Sequence, residues 1–254
     1  MVILLTNDDG IQALGLRALY WALKEMGHRV EVVAPLTEQS AVGHAITIFS
    51  PLRVKVIKEN GFKGIGISGT PVDCVKWALS FHFNQKPDLI ISGINNGANV
   101  GIDVLYSGTV SAATEGALLE IPALAVSIDD FRPTNLTEEA KWVSDFISKI
   151  CWENLNARTV LNLNFPNCGI RKARGIKVCP QTDVVYEDKY EKRKDPRGRE
   201  YYWLFGDIPM SRVKTGTDRD LLSKGYVTLT PLKFELTDKE LISNWSKWCK
   251  EVLT

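Results

Sequence analysis

The first ten residues constrain the chain most. Val2, Ile3, Leu4 and Leu5 form an unbroken apolar run, which reads as a short strand buried on both faces. The run stops on Thr6, Asn7, Asp8 and Asp9, with Gly10 to turn the chain. Two adjacent carboxylates directly after a buried strand are expensive, because unpaired charge beside a core is costly. Asp-Asp-Gly also makes an ordinary turn, since Asx side chains hydrogen-bond locally. In an open parallel sheet, however, ligands sit just beyond the carboxyl ends of the strands. Two acids placed there, with an amide beside them, suit a hard divalent cation that takes oxygen ligands.

Length and charge narrow the remaining choices. The 254 residues suffice for one large domain, or a domain with an appendage. With 31 Lys and Arg against 30 Asp and Glu, no whole-protein field exists to grip nucleic acid or an anionic membrane. Five widely spaced cysteines without a C-x-x-C pair predict reduced, mostly packing thiols of a cytoplasmic protein. No apolar run approaches a membrane span, and residues 1–5 are too short for the core of a signal peptide.

Past Gly10, the spacing of Leu16, Leu19, Tyr20 and Leu23 predicts a helix with one buried face, closed by Gly27 as a left-handed cap. Residues 29–34 read as a second strand ended by Pro35. A strand, helix and strand of this length make a right-handed βαβ unit with parallel neighbours. Residues 36–44 therefore lie beside Asp8 and Asp9, and bring the hydroxyl of Ser40 and the imidazole of His44 within reach. His28, His44 and His82 are the only histidines, and none is spaced with another as a zinc pair.

Residues 64–69 match G-x-G-x-x-G but are not read as a dinucleotide fingerprint. The glycines sit inside a predicted strand at 64–68, after an Asn60-Gly61 turn, instead of in the turn that follows a strand. Asp88, about 20 positions on, precedes its strand where the fingerprint needs an acid at the end. Thr70 and Pro71 instead open a helix predicted to run to Phe83, with Asp73 in its first turn.

A buried strand at 87–92 leads into Gly93-Ile94-Asn95-Asn96-Gly97-Ala98-Asn99-Val100-Gly101. Glycines let backbone approach a ligand, and Asn side chains supply neutral oxygen or NH₂ groups. Ser107 and Thr109, with the free N–H groups of a small-residue helix at 111–119, predict an anion site suited to phosphate. No lysine-bearing P-loop appears. A strand at 123–127, a helix at 138–150 and a strand at 159–163 complete an alternation that defines a doubly wound, mostly parallel (Rossmann-like) α/β fold.

The pattern then changes. Between Glu187 and Glu200, eleven of fourteen residues are charged, and the run is flanked by Tyr201, Tyr202, Trp203, Leu204 and Phe205. The charges read as a solvated tip. A two-stranded arm cannot bury its own aromatics, so Tyr201, Trp203 and Phe205 need another surface, most simply a second subunit. Thr237 and Glu240 form a predicted capping box for a final helix carrying Leu241, Trp245, Trp248 and Val252 on one stripe. The chain is thus expected to be a single domain, with a catalytic core at 1–180. Residues 181–254 supply a hairpin arm, a returning strand and a terminal helix, an oligomerisation region in which the helix stripe packs on its own chain or on a partner's.

Taken in order, these motifs resemble the SurE survival-protein family of metal-dependent nucleotide phosphatases. The matching residues are Asn7-Asp8-Asp9-Gly10, Val33-Ala34-Pro35 with Ser40 and Gly43-His44, Gly69-Thr70-Pro71 with Asp73-Cys74, Ser92-Gly93-Ile94-Asn95 with Gly97 and Asn99, Tyr106-Ser107-Gly108-Thr109-Val110, and Glu115-Gly116. Leu161-Asn162, Asn164, Pro166, Tyr201-Tyr202-Trp203 and Gly225-Tyr226 continue the likeness. The resemblance implies one divalent cation per subunit, Mg²⁺ or Mn²⁺, held by Asp8, Asp9, Ser40 and Asn95. It implies phosphate binding at Asn99, Ser107, Gly108 and Thr109. It also implies 5′- and 3′-nucleotidase activity on nucleoside monophosphates, polyphosphate trimming in some members, and a homodimer or tetramer assembled through exchanged C-terminal arms.

On this reading Asp8 and Asp9 are catalytic as well as metal-binding, one of them (Asp9 preferred) acting as base or nucleophile. His44 protonates the leaving oxygen. A dehalogenase-type phosphatase is disfavoured because it needs Asp-x-Asp, and the acids here are adjacent. The non-enzymatic alternative is an α/β module that binds nucleotide without turnover.

Overall fold

The first strand, β1 (Val2–Thr6), divides the core in two by simple alternation. Ile3 and Leu5 pack to one side of the sheet, and Leu4 packs to the other. The computed structural model describes residues 1–252, apart from the side chains of residues 243, 244, 247, 250 and 251. Eight further strands join the sheet: β2 (Arg29–Pro35), β3 (Val54–Glu59), β4 (Phe62–Ile67), β5 (Leu89–Asn96), β6 (Ala123–Ile128), β7 (Thr159–Phe165), β8 (Ile176–Val178) and, after a separate hairpin of β9 (Glu187–Lys194) and β10 (Glu200–Asp207), β11 (Val227–Lys233). Their order is β3-β4-β2-β1-β5-β6-β7-β11-β8. Only β3 against β4 and β11 against β7 run antiparallel.

The order shows where the site must lie. From β1 the chain works outward in one direction as far as β3, then restarts at β5 on the other side of β1. The carboxyl ends of β1 and β5 therefore flank the point where the winding reverses, the ligand crevice of doubly wound sheets. Helices α1 (Leu14–Glu25) and, after α2 (Pro71–Trp77), α3 (Asp103–Tyr106) and α4 (Gly108–Leu118), α5 (Thr137–Lys149) cover the two faces. Leu16, Leu19 and Leu23 of α1 pack with Val143 and Ile147 of α5 on one side, and Cys74 and Val75 of α2 pack with Val110 and Ala113 of α4 on the other.

Local chemistry accounts for most boundaries. Gly27, at φ +80°, ends α1 as expected. Thr70 and Asp73 close a reciprocal capping box on α2. The helix from Pro71 is regular only to Trp77, and Ala78–His82 continue it as a wider π turn. The first two glycines of G-x-G-x-x-G, Gly64 and Gly66, lie inside β4, where the Leu36 side chain occupies the space a Cβ on Gly66 would need, and Gly69 follows the strand. Asp88 accepts the Val2 N–H at 2.6 Å, at the amino end of β1 and on the edge away from Asp8.

Further expectations are corrected. The strand read at 87–92 runs on to Asn96, because pairing with β6 resumes after a register shift between Ser92 and Asn95. Helix α4 starts at Gly108, three residues earlier than the spacing suggests, because the Ser107 hydroxyl accepts from Val110 N and caps it. The terminal helix, α7 (Lys239–Val252), follows α6 (Asp218–Ser223) and β11; its first N–H groups, Glu240 and Leu241, donate to Asp238 Oδ1 at 3.0 and 3.1 Å, so Asp238 caps it in place of Thr237. All five cysteines are free, but only Cys74 and Cys179 are buried, so most do not pack.

The hairpin stands apart from the nine-stranded sheet, and the charged run read as a tip supplies strand β9. Tyr201, Trp203 and Phe205 remain exposed, as do Leu241, Trp245, Trp248 and Val252 of α7. Among the described residues no helix is long and apolar enough to cross a membrane.

Candidate active site

Asp8 and Asp9 leave β1 at the reversal point, and the loop after β2 folds over them: Gln39 N–H donates to the Asp8 carbonyl at 2.8 Å. Asp8 is 6% exposed. Its carboxylate meets the start of α4, where it accepts the Thr109 hydroxyl. Gly108 gives the carboxylate room, since a Cβ there would lie 2.8 Å from Asp8 Cβ. Asp9 Oδ2 accepts from Asn96 N at 3.1 Å, so the end of β5 holds the second acid.

The electrostatics are one-sided. Burial raises Asp8 above the usual carboxylate range, against the lowering effect of the Thr109 hydrogen bonds. Burial and then the charge of Asp8 push Asp9 up to about 7. Glu38 adds a further negative field to both. Among the described residues neither aspartate has an ion-pair partner. The pair thus lacks the positive charge that buried carboxylates require.

The donors around this deficit are oxygens. Asn95 spends its Nδ2 on the Gly97 carbonyl at 2.7 Å, leaving Oδ1 as its free acceptor. Ser40, on the covering loop, donates its hydroxyl to Glu38 Oε1 at 2.5 Å, and its oxygen keeps a lone pair. Among the described residues no group of three or more His, Cys, Asp or Glu is arranged for a metal. Two carboxylates with neutral oxygens fit a hard cation and not a zinc-type one.

The other sequence-predicted residues fall into two groups. Ser107, Gly108 and Thr109 form the first turn of α4 beside Asp8, with Ser107 engaged as the cap and Thr109 on the carboxylate. Asn99 points into the sheet instead. Its Nδ2 donates to Ser127 Oγ at 2.8 Å, its N–H donates to Asn164 Oδ1 at 2.8 Å, and its carbonyl accepts from Asn162 and Asn164. His44 Nε2 sits 2.9 Å from Glu115 Oε2 on the third turn of α4.

Sequence reasoning missed Glu38, the backbone of Asn96, and the Asn162–Asn164 clamp under Asn99. The clamp had a signal, because Asn162 and Asn164 are amides in an otherwise apolar strand at 159–165. Glu38 had none beyond its place in the loop.

A doubly wound sheet with a carboxylate pair at its reversal point, faced by a helix N-terminus, places the chain among α/β proteins with a crevice at the carboxyl ends of their parallel strands. A model of the family described as Survival protein SurE matches residues 3–188. The chain is 57% identical over 243 residues to the 5′-nucleotidase SurE of Maridesulfovibrio salexigens, covering 96% of this chain and 97% of that one. It is 61% identical over 238 residues to that of Solidesulfovibrio magneticus, covering 94% and 93%. Among solved structures, the SurE protein from Aquifex aeolicus superposes with a TM-score of 0.82 at 37% identity, over 96% of this chain and 98% of the other. The chain belongs to the SurE survival-protein family.

Proposed function

We propose that this chain is a metal-dependent phosphomonoesterase that converts nucleoside 5′- and 3′-monophosphates to nucleoside and phosphate. The observation that carries the reading is the Asp8–Asp9 pair, Asp8 buried and Asp9 half-buried, with no cationic partner among the described residues, set against the first turn of α4. Asp8, Asp9, the Ser40 hydroxyl and the Asn95 amide oxygen would hold one divalent cation, Mg²⁺ or Mn²⁺ by ligand hardness. When bound, such an ion polarises a phosphoryl oxygen and neutralises charge.

The chain's own groups supply the rest. Ser107, Gly108 and Thr109 offer the anion-facing end of α4 to the phosphoryl group. Asp9 is less tightly engaged than Asp8 and accepts a proton from the attacking water. His44 gives a proton to the leaving oxygen. Asn99, clamped from below, holds the backbone of the phosphate-side loop in place, and turns its amide to phosphate only if the bond to Ser127 opens.

The decisive experiment measures phosphate release from adenosine 5′- and 3′-monophosphate and from p-nitrophenyl phosphate, after EDTA treatment and after adding back Mg²⁺ or Mn²⁺. Activity should vanish with chelator and return with metal. Activity indifferent to chelator removes the cation from the reading. Nucleotide binding without turnover under either metal identifies a non-catalytic module instead.

Residues 1–180 form the catalytic core on this reading, and residues 181–254 serve assembly while returning β11 to the sheet. A homodimer by arm exchange, with tetramers as pairs of dimers, gives Tyr201, Trp203 and Phe205 the cover they lack in one chain. The Trp203→Ser/Phe205→Ser variant should fall in light scattering to the mass of one chain, 28.4 kDa. A variant that stays dimeric removes the arm from the interface. The five unpaired cysteines accord with a cytoplasmic location.

A further inference from the structure

The site uses the first turn of α4 and leaves its third turn without a task. Glu115 lies there at 8% exposure. It is held from two other elements: His44 Nε2 at 2.9 Å from the loop after β2, and Lys76 Nζ, which donates to Oε1 at 3.0 Å from α2. The hydrogen bond with His44, more than the burial that opposes it, and then Lys76 hold the Glu115 carboxyl below its ordinary range. A buried carboxylate spent on an exposed loop is costly where a simple apolar contact would pin the loop as well.

His44 is fixed from two directions. Its ring is gripped by Glu115, and the preceding Gly43 N–H donates to the Tyr106 carbonyl at 2.9 Å. Tyr106 immediately precedes Ser107, the cap of α4. The ring keeps 36% of its side-chain surface exposed, and among the described residues no hydrogen bond falls on Nδ1. An imidazole with one nitrogen bound to a carboxylate and the other open is an oriented proton donor.

We propose that Glu115, braced by Lys76, is a positioning residue that orients His44 to deliver its Nδ1 proton to the oxygen leaving phosphorus. This rests on the phosphomonoesterase reading above. In the step, the water oxygen bonds to phosphorus and the ester P–O bond breaks, its electron pair passing to the ribose oxygen. The Nδ1 proton ends on that oxygen, the proton of the attacking water passes to Asp9 and then solvent, and the imidazole is reprotonated from solvent. A ribose oxygen leaves poorly without that proton, whereas p-nitrophenolate is stable enough to leave unaided.

The test is the ratio of kcat on adenosine 5′-monophosphate to kcat on p-nitrophenyl phosphate, measured with metal present. In Glu115→Gln this ratio should fall on the order of 10- to 100-fold relative to the parent, with KM for the nucleotide little changed. His44→Ala should lower it as far, and the double variant should lower it no further. An unchanged ratio, including an equal loss on both substrates, overturns the proposal. Should Glu115→Gln fail to fold, His44→Ala, on an exposed loop, decides by the same ratio. A parent chain that hydrolyses neither ester with metal would instead refute the phosphomonoesterase reading itself.

Discussion

Asp9→Asn is expected to abolish metal-supported phosphate release, by at least about 10²- to 10³-fold, the scale of losing one group that stabilises a charged transition state. The substitution keeps shape and removes one negative charge. Asn96 N–H can still donate to the amide oxygen that replaces Asp9 Oδ2, so the end of β5 keeps its anchor. Because burial and Asp8 already oppose the charge on Asp9, the variant should melt at or above the parent temperature without metal. With Mg²⁺ or Mn²⁺ the parent should gain thermal stability by mass action, and the variant should gain far less. Phosphate release and melting curves measured side by side check both halves. A fully active Asp9→Asn protein would sink the site assignment.

Gly15→Ala should be strongly destabilising, although it adds only one methyl group. On an exposed helix the exchange would stabilise by roughly 0.5–1 kcal/mol, since glycine is a poor helix former. Here α1 packs flat on β5: a Cβ on Gly15 would fall inside the Ile94 carbonyl oxygen and 2.9 Å from its carbon. Those are backbone atoms of the strand that carries Asn95, and they cannot rotate away. A net loss of about 3 kcal/mol, the upper end of ordinary overpacking, corresponds to a Tm lower by roughly 6–12 °C for a domain of this size. Gly116→Ala is the control, because its obstacle is the Cδ1 tip of the Ile90 side chain, which can move. Equal Tm losses for the two variants would refute the rigid contact of helix and strand.

What could be read from the sequence followed physical range. The buried run before Asp8, the 3.6-residue stripe of Leu16, Leu19 and Leu23, and Gly27 at the end of α1 are local patterns, and they set the alternation of strands and helices. The juxtaposition of Asp8–Asp9 with Asn95–Asn96 follows from that alternation, because carboxyl ends of parallel neighbours share an edge. Side-chain aim did not follow. Nothing local says that Asn99 turns inward, since its partners Ser127, Asn162 and Asn164 come from strands 28 to 65 positions away. Glu115 was visible as a motif residue, but its link to His44 spans 71 positions. The cap at Asp238 shows the same limit at short range, because Thr237 and Asp238 are both good caps and the difference is one residue of register.

The placement of β11 bears on the order in which the molecule is made. It pairs along β7 on one side and β8 on the other, yet the hairpin of β9 and β10 is synthesised between β8 and β11. A growing chain therefore exposes its arm, aromatic residues included, while the outer edge of β7 is still bare. Completion of the sheet by β11 closes that edge. The sheet is thus completed only after the arm has been made.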